Sequence, residues 1–322
     1  MSDVTATKQS LVRLDDIRDA AARVGGLVVR TPLLPSPWAE ELWLKPESLQ
    51  PVGAFKLRGA TNALHRLDLE RRRAGVVTHS SGNHGQALAY AGRALGVPVT
   101  VVMPDVSTPL KIEATRGYGA EVILVPQSQR EVVAKQLMAE RGLTLIPPYD
   151  HPDIIAGQGT VGLEIFEDLS SVDVVVVPVG GGGLSSGVAT AVKSLAPHVA
   201  VIGVEPALAA DAAESLAAGM VRRWPEERTL STVADGLRTA LSELTLAHLS
   251  TYLDAIVTVS EEEILDTVRT LARKARLIVE PSGAVATAAV LHRRDELPAG
   301  RTVAVISGGN IAPELAARLF GA

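Results

Sequence analysis

Residues 172–187 read VDVVVVPVGGGGLSSG, a valine-rich run followed by four glycines and a segment of small residues. A short apolar run bounded by turn residues is typical of a buried strand, and residues 172–179 have this pattern. Glycines after such a strand let the backbone approach a ligand, and the free N–H groups of the next helix can bind an anion. The stretch therefore predicts an α/β protein with a parallel sheet and an anion site at its carboxyl edge.

Two other segments repeat this order of strand, small-residue turn and helix. Residues 76–78 lead into HSSGNHG at 79–85, and residues 303–306 lead into SGGN at 307–310. Each turn alone is equally consistent with a tight connection, but three such turns at the carboxyl ends of parallel strands indicate one shared pocket. The predicted strands cover residues 75–78, 100–103, 121–125, 172–179, 201–204, 255–259 and 302–306.

Composition limits both the class of protein and its chemistry. The chain has 322 residues, 47% of them hydrophobic and 21% charged, which favours a globular protein of two lobes. A net charge of -5 argues against a nucleic-acid partner, and the absence of cysteine excludes disulfides, thiolate metal sites and cysteine nucleophiles. The sequence contains neither a membrane-length apolar run nor a signal-peptide pattern, so we expect a cytoplasmic protein without a membrane partner.

The segment GAFKLRGA at 53–60 contains the strongest candidate for covalent chemistry. Acidic residues are absent between Ser48 and Leu67, so Lys56 has no local salt-bridge partner, and the nearby charge of Arg58 also favours a neutral amine. Such an amine is the nucleophile that forms Schiff bases with carbonyl cofactors such as pyridoxal phosphate. Alone, the string fits a surface lysine before a helix; together with turns that can hold a phosphate, it favours a cofactor site.

One rival motif is present, because residues 183–187 match the G-x-S-x-G pattern of α/β-hydrolases. Ser185 would then be the nucleophile, and His292 with Asp254 or Asp266 would complete a triad. The hydrolase motif requires its serine on the sharp turn directly after a strand, whereas four glycines intervene here. An α/β-hydrolase is therefore the remote alternative.

Taken together, these segments resemble the fold-type II family of pyridoxal phosphate enzymes, which includes threonine dehydratases, serine dehydratases and serine racemases. Similar motifs occur in the family order over almost the whole chain. The segment ESLQPVGAFK at 47–56 is similar to the family's cofactor-lysine segment, with Ala54 where serine is common. The resemblance implies a two-lobed, tryptophan synthase β-like fold with helices on both faces of twisted, parallel-rich sheets. It also implies pyridoxal 5'-phosphate bound to Lys56.

The resemblance implies roles for the three turns as well. SSGNHG at 80–85 is similar to the loop that binds the substrate carboxylate, and the glycine run is similar to the family's phosphate loop. The implied cofactor ligands are Phe55, Lys56, Asn83, Gly180, Gly181, Gly182, Gly183, Leu184 and Ser307. The implied substrate ligands are Ser80, Ser81, Asn83, His84 and Arg130.

The expected reaction is β-elimination from a hydroxy amino acid, which yields a 2-oxo acid and ammonia. Lys56 would remove the α-proton, and the hydroxyl of Ser307 would not keep the pyridine nitrogen protonated, so a long-lived carbanion is disfavoured. A serine or threonine dehydratase is therefore the expected function. Racemisation is the alternative, because the racemases have serine where this chain has Ser81, which could protonate the opposite face of Cα. Serine, threonine and 3-hydroxyaspartate all remain open as substrates.

A divalent cation and a second subunit are further implications of the resemblance. The segment EPALAAD at 205–211 is similar to the racemase branch's cation site, with Glu205, the Ala209 carbonyl and Asp211 as ligands. Oxygen ligands suit Mg²⁺ or Ca²⁺, although the two carboxylates by themselves would fit a solvated acidic loop. Arg130 resembles a substrate-gating arginine or is an exposed helix residue. We expect a homodimer with a large cofactor-binding domain at 1–74 and 149–322 and a small mobile domain at 75–148.

Overall fold

The computed structural model describes residues 10–80 and 82–321, and the strands in these ranges form two sheets. The strands are β1 (Leu34–Pro35), β2 (Leu42–Pro46), β3 (Val76–His79), β4 (Val99–Pro104), β5 (Glu121–Val125), β6 (Thr144–Leu145), β7 (Val174–Pro178), β8 (Ala200–Pro206), β9 (Ala255–Val259) and β10 (Thr302–Ile306). The larger sheet has the order β1-β2-β10-β7-β8-β9, and the smaller has the order β5-β4-β3-β6. All pairings are parallel except that of β1 with β2.

Helices follow most of the strands, as the alternating sequence pattern predicts. They are α1 (Leu14–Val24), α2 (Lys56–Arg66), α3 (Leu69–Ala74), α4 (Asn83–Leu95), α5 (Pro109–Gly117), α6 (Arg130–Arg141), α7 (Pro152–Asp168), α8 (Gly183–Leu195), α9 (Asp211–Ala218), α10 (Glu226–Thr229), α11 (Glu243–Tyr252), α12 (Glu261–Thr270), α13 (Pro281–His292) and α14 (Pro313–Phe320). Short 3-10 turns cover Glu47–Leu49, Gln127–Gln129, Asp235–Leu237 and Arg294–Glu296, and a π turn covers Leu271–Ala275.

Strand β7 explains why a continuous valine run marks the centre of the larger sheet. Val174 and Val176 belong to the core that includes α13, whereas Val175 and Val177 belong to the core on the opposite face, which includes α8. Both faces of the strand are covered by helices, so both sets of alternating side chains must be apolar. The α/β class with helices on both faces is confirmed.

The sequence pattern located the predicted strands well and missed the short ones. The predictions at 121–125, 255–259 and 302–306 agree with β5, β9 and β10 to the residue, and the other four differ by one or two residues at their ends. Strands β1, β2 and β6 were not predicted. Strand β2 was not recognised because the charged Lys45 interrupts its apolar pattern, although this lysine is fully buried next to β10.

The four strands of the smaller sheet all come from residues 76–145, while the larger sheet uses strands from both sides of that segment. The division into domains at 1–74 with 149–322 and at 75–148, and the mobility of the small domain, stay predictions. Helix α2 contacts both regions, because its side chains share a core with β3 and α4 while its backbone touches α7. A Cβ added at Gly157 of α7 would lie 2.6 Å from Cα of Gly59, so only glycine permits this approach.

Candidate active site

Lys56 is the first residue of α2, and the structure holds its amine in a partly buried position. Its Nζ donates a hydrogen bond to the Pro148 carbonyl at 2.7 Å and lies 5.0 Å from the centre of the Phe55 ring. Burial, which penalises the charged ammonium, lowers the pKa of Lys56 to about 8. A substantial fraction of the amine is therefore neutral at slightly alkaline pH, as a nucleophile or base requires.

The predicted influence of Arg58 on this amine was wrong. Arg58 is fully buried, and its guanidinium is paired with Glu47 at 2.7 Å and with Glu164 at 2.6 Å. Its charge is compensated where it stands, and burial alone lowers the pKa of Lys56. The absence of a local acid was the correct signal, and the neighbouring arginine was not.

The glycine run forms the turn between β7 and α8, with Gly182 in the left-handed region at φ 85°. An added Cβ at Gly181 or Gly183 would lie 2.6 or 2.9 Å from atoms of Tyr149, whose ring covers the turn. An added Cβ at Gly180 would lie 2.9 Å from Leu237. Only glycine fits these positions, and the turn leads into the N-terminus of a helix of 13 residues, which suits a phosphate group.

The structure does not assemble the hydrolase triad. The hydroxyl of Ser185 donates to the Gly182 carbonyl at 3.2 Å within the first turn of α8. His292 lies 3.5 Å from Asp266, while Asp254 pairs with Lys193. Ser185 is fully buried and hydrogen-bonded within its own helix, so it lacks the exposed turn position of a nucleophile.

The substrate-loop prediction concerns residues 80–85, of which Ser81 lies outside the described residues. Ser80 follows β3 directly, and its hydroxyl accepts a 3.3 Å hydrogen bond from the Gly82 amide. His84 donates from Nε2 to the Ile146 carbonyl at 3.1 Å, and its buried Nδ1 has no partner among the described residues. Burial and the nearby Lys56 lower the pKa of His84 to about 3, so its ring is neutral.

Asn83 is the first residue of α4 and connects this loop to the start of α13 and to the turn after β10. Its Nδ2 donates to Oε1 of Glu280 at 2.7 Å, and its Oδ1 accepts from Nδ2 of Asn310 at 2.8 Å. Sequence reasoning missed Glu280, which immediately precedes α13 and is buried. The available signal was a lone acid between the apolar residues 277–279 and Pro281, since an unpaired acid in an apolar run demands a partner.

Ser307 follows β10 and is buried on the same side of the molecule as the start of α2. Its backbone carbonyl accepts a 3.0 Å hydrogen bond from the Phe55 amide, and its hydroxyl donates to the Ser282 carbonyl at 3.3 Å. The next residue, Gly308, forms an isolated bridge with Ala54. The chain before Lys56 is therefore tied directly to the turn that follows β10.

The predicted cation ligands lie together at the end of β8. Both carboxylate oxygens of Glu205 accept backbone hydrogen bonds, from Ala212 at 3.0 Å and from Ala213 at 2.8 Å. Burial raises the pKa of Glu205 to about 8 and also raises the pKa of Asp211. Within residues 10–80 and 82–321, no cluster of three or more His, Asp or Glu side chains could hold a metal ion. The predicted set has only two carboxylates, with the buried Ala209 supplying a carbonyl.

Arg130 begins α6 and does not extend freely into solvent. Its Nε donates to the Gln127 carbonyl at 3.1 Å. It is close enough to His79, the last residue of β3, to add to the effect of burial in lowering the pKa of that histidine. This position is near the predicted substrate loop, and its gating role stays a prediction.

None of the helices in the described ranges is long and apolar enough to cross a membrane.

Comparison with known proteins identifies the group that shares this arrangement. The family model described as "Pyridoxal-phosphate dependent enzyme" matches residues 24–308. The chain is 41% identical over 304 residues to the L-threo-3-hydroxyaspartate ammonia-lyase of Saccharomyces cerevisiae, covering 92% of each chain. It is 40% identical over 305 residues to the serine racemase of Schizosaccharomyces pombe, covering 92% of this chain and 94% of that protein.

A solved structure shows the same similarity in three dimensions. The maize serine racemase superimposes with a TM-score of 0.90 at 36% identity, covering 95% of this chain and 95% of that one. The similarity extends over nearly the full length of each of these proteins, so it includes both sheets and all three turns.

Proposed function

The chain belongs to the family of pyridoxal-phosphate dependent enzymes, and from this premise we propose that it is an ammonia-lyase for serine and threonine. The observation that carries the proposal is the Lys56 amine, whose pKa is about 8. The amine contacts the Pro148 carbonyl, and the following residue, Tyr149, covers Gly181 and Gly183. Two consecutive residues, Pro148 and Tyr149, thus contact the candidate base and the candidate phosphate-binding turn, respectively.

The residues around Lys56 and the glycine turn fit pyridoxal phosphate. The glycine turn would hold the phosphate with backbone N–H groups, Lys56 would attach the carbonyl carbon, and Phe55 would lie against the ring. Asn83 and Ser307 would face the phenolic oxygen and the pyridine nitrogen. When bound, the cofactor supplies an electron sink that makes the α-proton of an amino acid acidic.

The protein's own contribution is to accept and hold protons at defined atoms. Lys56 takes the α-proton at Nζ, and its lowered pKa keeps the amine available near pH 8. The β-hydroxyl then leaves as water, with the proton returned from the Lys56 ammonium. The released enamine takes up a proton at Cβ to become an imine, and water hydrolyses the imine to ammonia and a 2-oxo acid. The Ser307 hydroxyl carries no charge at neutral pH, so it would not stabilise a protonated pyridine nitrogen as a carboxylate would.

Replacing Lys56 by alanine tests the proposal. The purified parent should show the absorbance of bound pyridoxal phosphate and form pyruvate from L-serine, and Lys56→Ala should lose both. The matched control is Ser185→Ala, which should keep most of the activity, because among the described residues this hydroxyl bonds only the Gly182 carbonyl at the start of α8. A parent without cofactor absorbance, or a Lys56→Ala protein that retains it with full activity, would refute the proposal.

Racemisation is a second candidate activity, supported by the similarity to the serine racemase of Schizosaccharomyces pombe. Lys56 acts on one face of Cα, so a second acid or base is needed on the other face. We propose Ser81 for this role. The 3-hydroxyaspartate dehydratase alternative is supported by the similarity to the Saccharomyces cerevisiae ammonia-lyase, and a panel of hydroxy amino acids distinguishes it from a serine or threonine enzyme.

We also propose that Glu205, Ala209 and Asp211 bind Mg²⁺ or Ca²⁺. Two buried carboxylates whose pKa values are raised by burial are costly when ionised, and a cation between them would offset that cost. Homodimerisation and movement of residues 75–148 against the rest are proposed from the same family membership. Sedimentation velocity would test the first, and hydrogen exchange with and without substrate the second.

A further inference from the structure

A chain of hydrogen bonds joins three elements beside the predicted cofactor position. Glu280 precedes α13, Asn83 begins α4, and Asn310 follows β10, so three separate elements meet at one amide. Asn83 donates to Glu280 at 2.7 Å and accepts from Asn310 at 2.8 Å, and Asn310 also donates to the Val52 carbonyl at 2.9 Å. Asn83 is therefore held from two sides.

These partners determine which way the Asn83 amide points. A carboxamide has two N–H donors and one carbonyl oxygen, and here one N–H and the oxygen are occupied. Turning the amide over would place its oxygen against the ionised carboxylate of Glu280 and its NH₂ group against the NH₂ group of Asn310. Both contacts would be repulsive. The second N–H of Asn83 has no hydrogen-bond partner among the described residues, and the orientation of the amide decides where this N–H points.

The surroundings of Glu280 make this charge sensitive to pH. The residue is 6% exposed, and Gly308 lies so close that any side chain there would overlap the carboxylate. Burial, followed by the nearby Asp235, raises the pKa of Glu280 to about 7, while the bond to Asn83 and the charge of Lys111 act in the opposite direction. Lys111 and Asp235 are themselves paired at 3.0 Å. The turn after β10 supplies only uncharged residues, Ser307 to Asn310.

We propose that Glu280 is a positioning residue that, when ionised, fixes the Asn83 amide so that its free N–H faces the cofactor. This inference rests on the proposed function, because it concerns the same site. Protonated Glu280 can donate as well as accept, so the turned orientation of Asn83 then loses its repulsion at Glu280 and keeps only the unfavourable contact with Asn310. Protonation therefore weakens the preference for the productive orientation and increases the share of the turned one. In the turned orientation, Asn83 presents an oxygen where a donor is needed, and both cofactor affinity and turnover fall.

The test compares the parent with Glu280→Gln, which keeps the shape and one acceptor but removes the charge. The matched control is Glu263→Gln, because Glu263 lies in the first turn of α12 and its side chain bonds only Ser260 and Arg293 among the described residues. Pyridoxal phosphate is titrated into the cofactor-free proteins between pH 5.5 and 8.5. We expect Glu280→Gln to bind about 10-fold more weakly at pH 8, the size of a lost charge-assisted hydrogen bond. We expect the cofactor affinity of the parent to decline as Glu280 is protonated near pH 7 and this part of the pH dependence to be absent from Glu280→Gln, whereas the part that comes from Lys56 near pH 8 should remain in both proteins.

A second measurement separates positioning from simple destabilisation. The raised pKa means that the folded parent binds a proton between about pH 4.5 and 7 that the unfolded chain does not, so this group's contribution to stability is lost as pH rises through that window. Cofactor-free Glu280→Gln should therefore lose less thermal stability than the parent between pH 5 and 8. A purely structural role would instead lower the melting temperature at every pH.

The outcomes distinguish this inference from the proposed function. A parent that neither binds pyridoxal phosphate nor forms a 2-oxo acid refutes the proposed function. If the parent does both and Glu280→Gln matches it in affinity and pH dependence, the inference about Glu280 is refuted alone. Should Glu280→Gln not fold, Asn310→Asp replaces the donor facing Asn83 with an acceptor and should lower cofactor affinity; unchanged affinity would overturn the inference.

Discussion

Replacing Arg58 by methionine should lower the free energy of unfolding by about 3 to 5 kcal/mol. Arg58 is fully buried on α2, two residues after Lys56. Its guanidinium donates to both oxygens of Glu47, at 2.7 and 2.8 Å, and to both oxygens of Glu164, at 2.6 and 2.8 Å. The substitution would keep the volume nearly constant and remove every one of these bonds.

The magnitude follows from the charges that the substitution leaves behind. Glu47 is completely buried, and Arg58 is the charge that does most to lower its pKa. Lys45, also fully buried and paired with Glu164 at 2.6 Å, would then be the sole cation facing two carboxylates among the described residues. Removing one partner of a buried pair typically costs about 3 to 5 kcal/mol, because the other charge stays desolvated.

Arg30→Met is the matched control, because Arg30 also binds two carboxylates but is 51% exposed. Exposed ion pairs contribute about 0 to 1 kcal/mol, so this variant should unfold almost like the parent. Urea unfolding of the cofactor-free proteins, followed by circular dichroism, measures both variants under the same conditions. A loss below about 1 kcal/mol for Arg58→Met, or equal losses for the two variants, would refute the reasoning that burial decides the cost.

Three further measurements address the other parts of the molecule. With L-serine as substrate, we expect the parent to form mainly pyruvate and a smaller amount of D-serine. The Ser81→Ala variant should lose D-serine formation while keeping most of the elimination. Undiminished D-serine from this variant on chiral chromatography would remove Ser81 from the mechanism. Chelation should lower the melting temperature of the parent and Mg²⁺ should restore it, because a bound ion stabilises the folded state, whereas Asp211→Ala should not respond to either. Neutral His248 accepts the Val12 amide at 2.9 Å, and burial lowers its pKa, so the folded state disfavours its protonation. Stability from this group should be lost as pH falls below about 6.5, and a His248→Gln protein with the parent's pH dependence of melting would contradict this.

Local pattern determined the class of fold and much of the site before any tertiary contact was known. The valine run of β7 and the glycines after it predict a buried strand, a tight turn and a helix start, because each depends on neighbouring residues and backbone sterics. The segment around Lys56 likewise identified the amine by the absence of acids nearby in the chain. Family membership and the parallel-rich fold were accessible at that level, and the comparisons confirmed them.

Only the tertiary structure determined which distant side chains meet. Glu280 and Asn310 bond to Asn83 across 197 and 227 residues of chain, and no periodicity or spacing encodes contacts of that range. The charge of Arg58 was misjudged for the same reason, since its second partner, Glu164, lies 106 residues away. A pKa depends on burial and on charges nearby in space, so sequence can nominate an ionisable residue, but the fold determines its protonation.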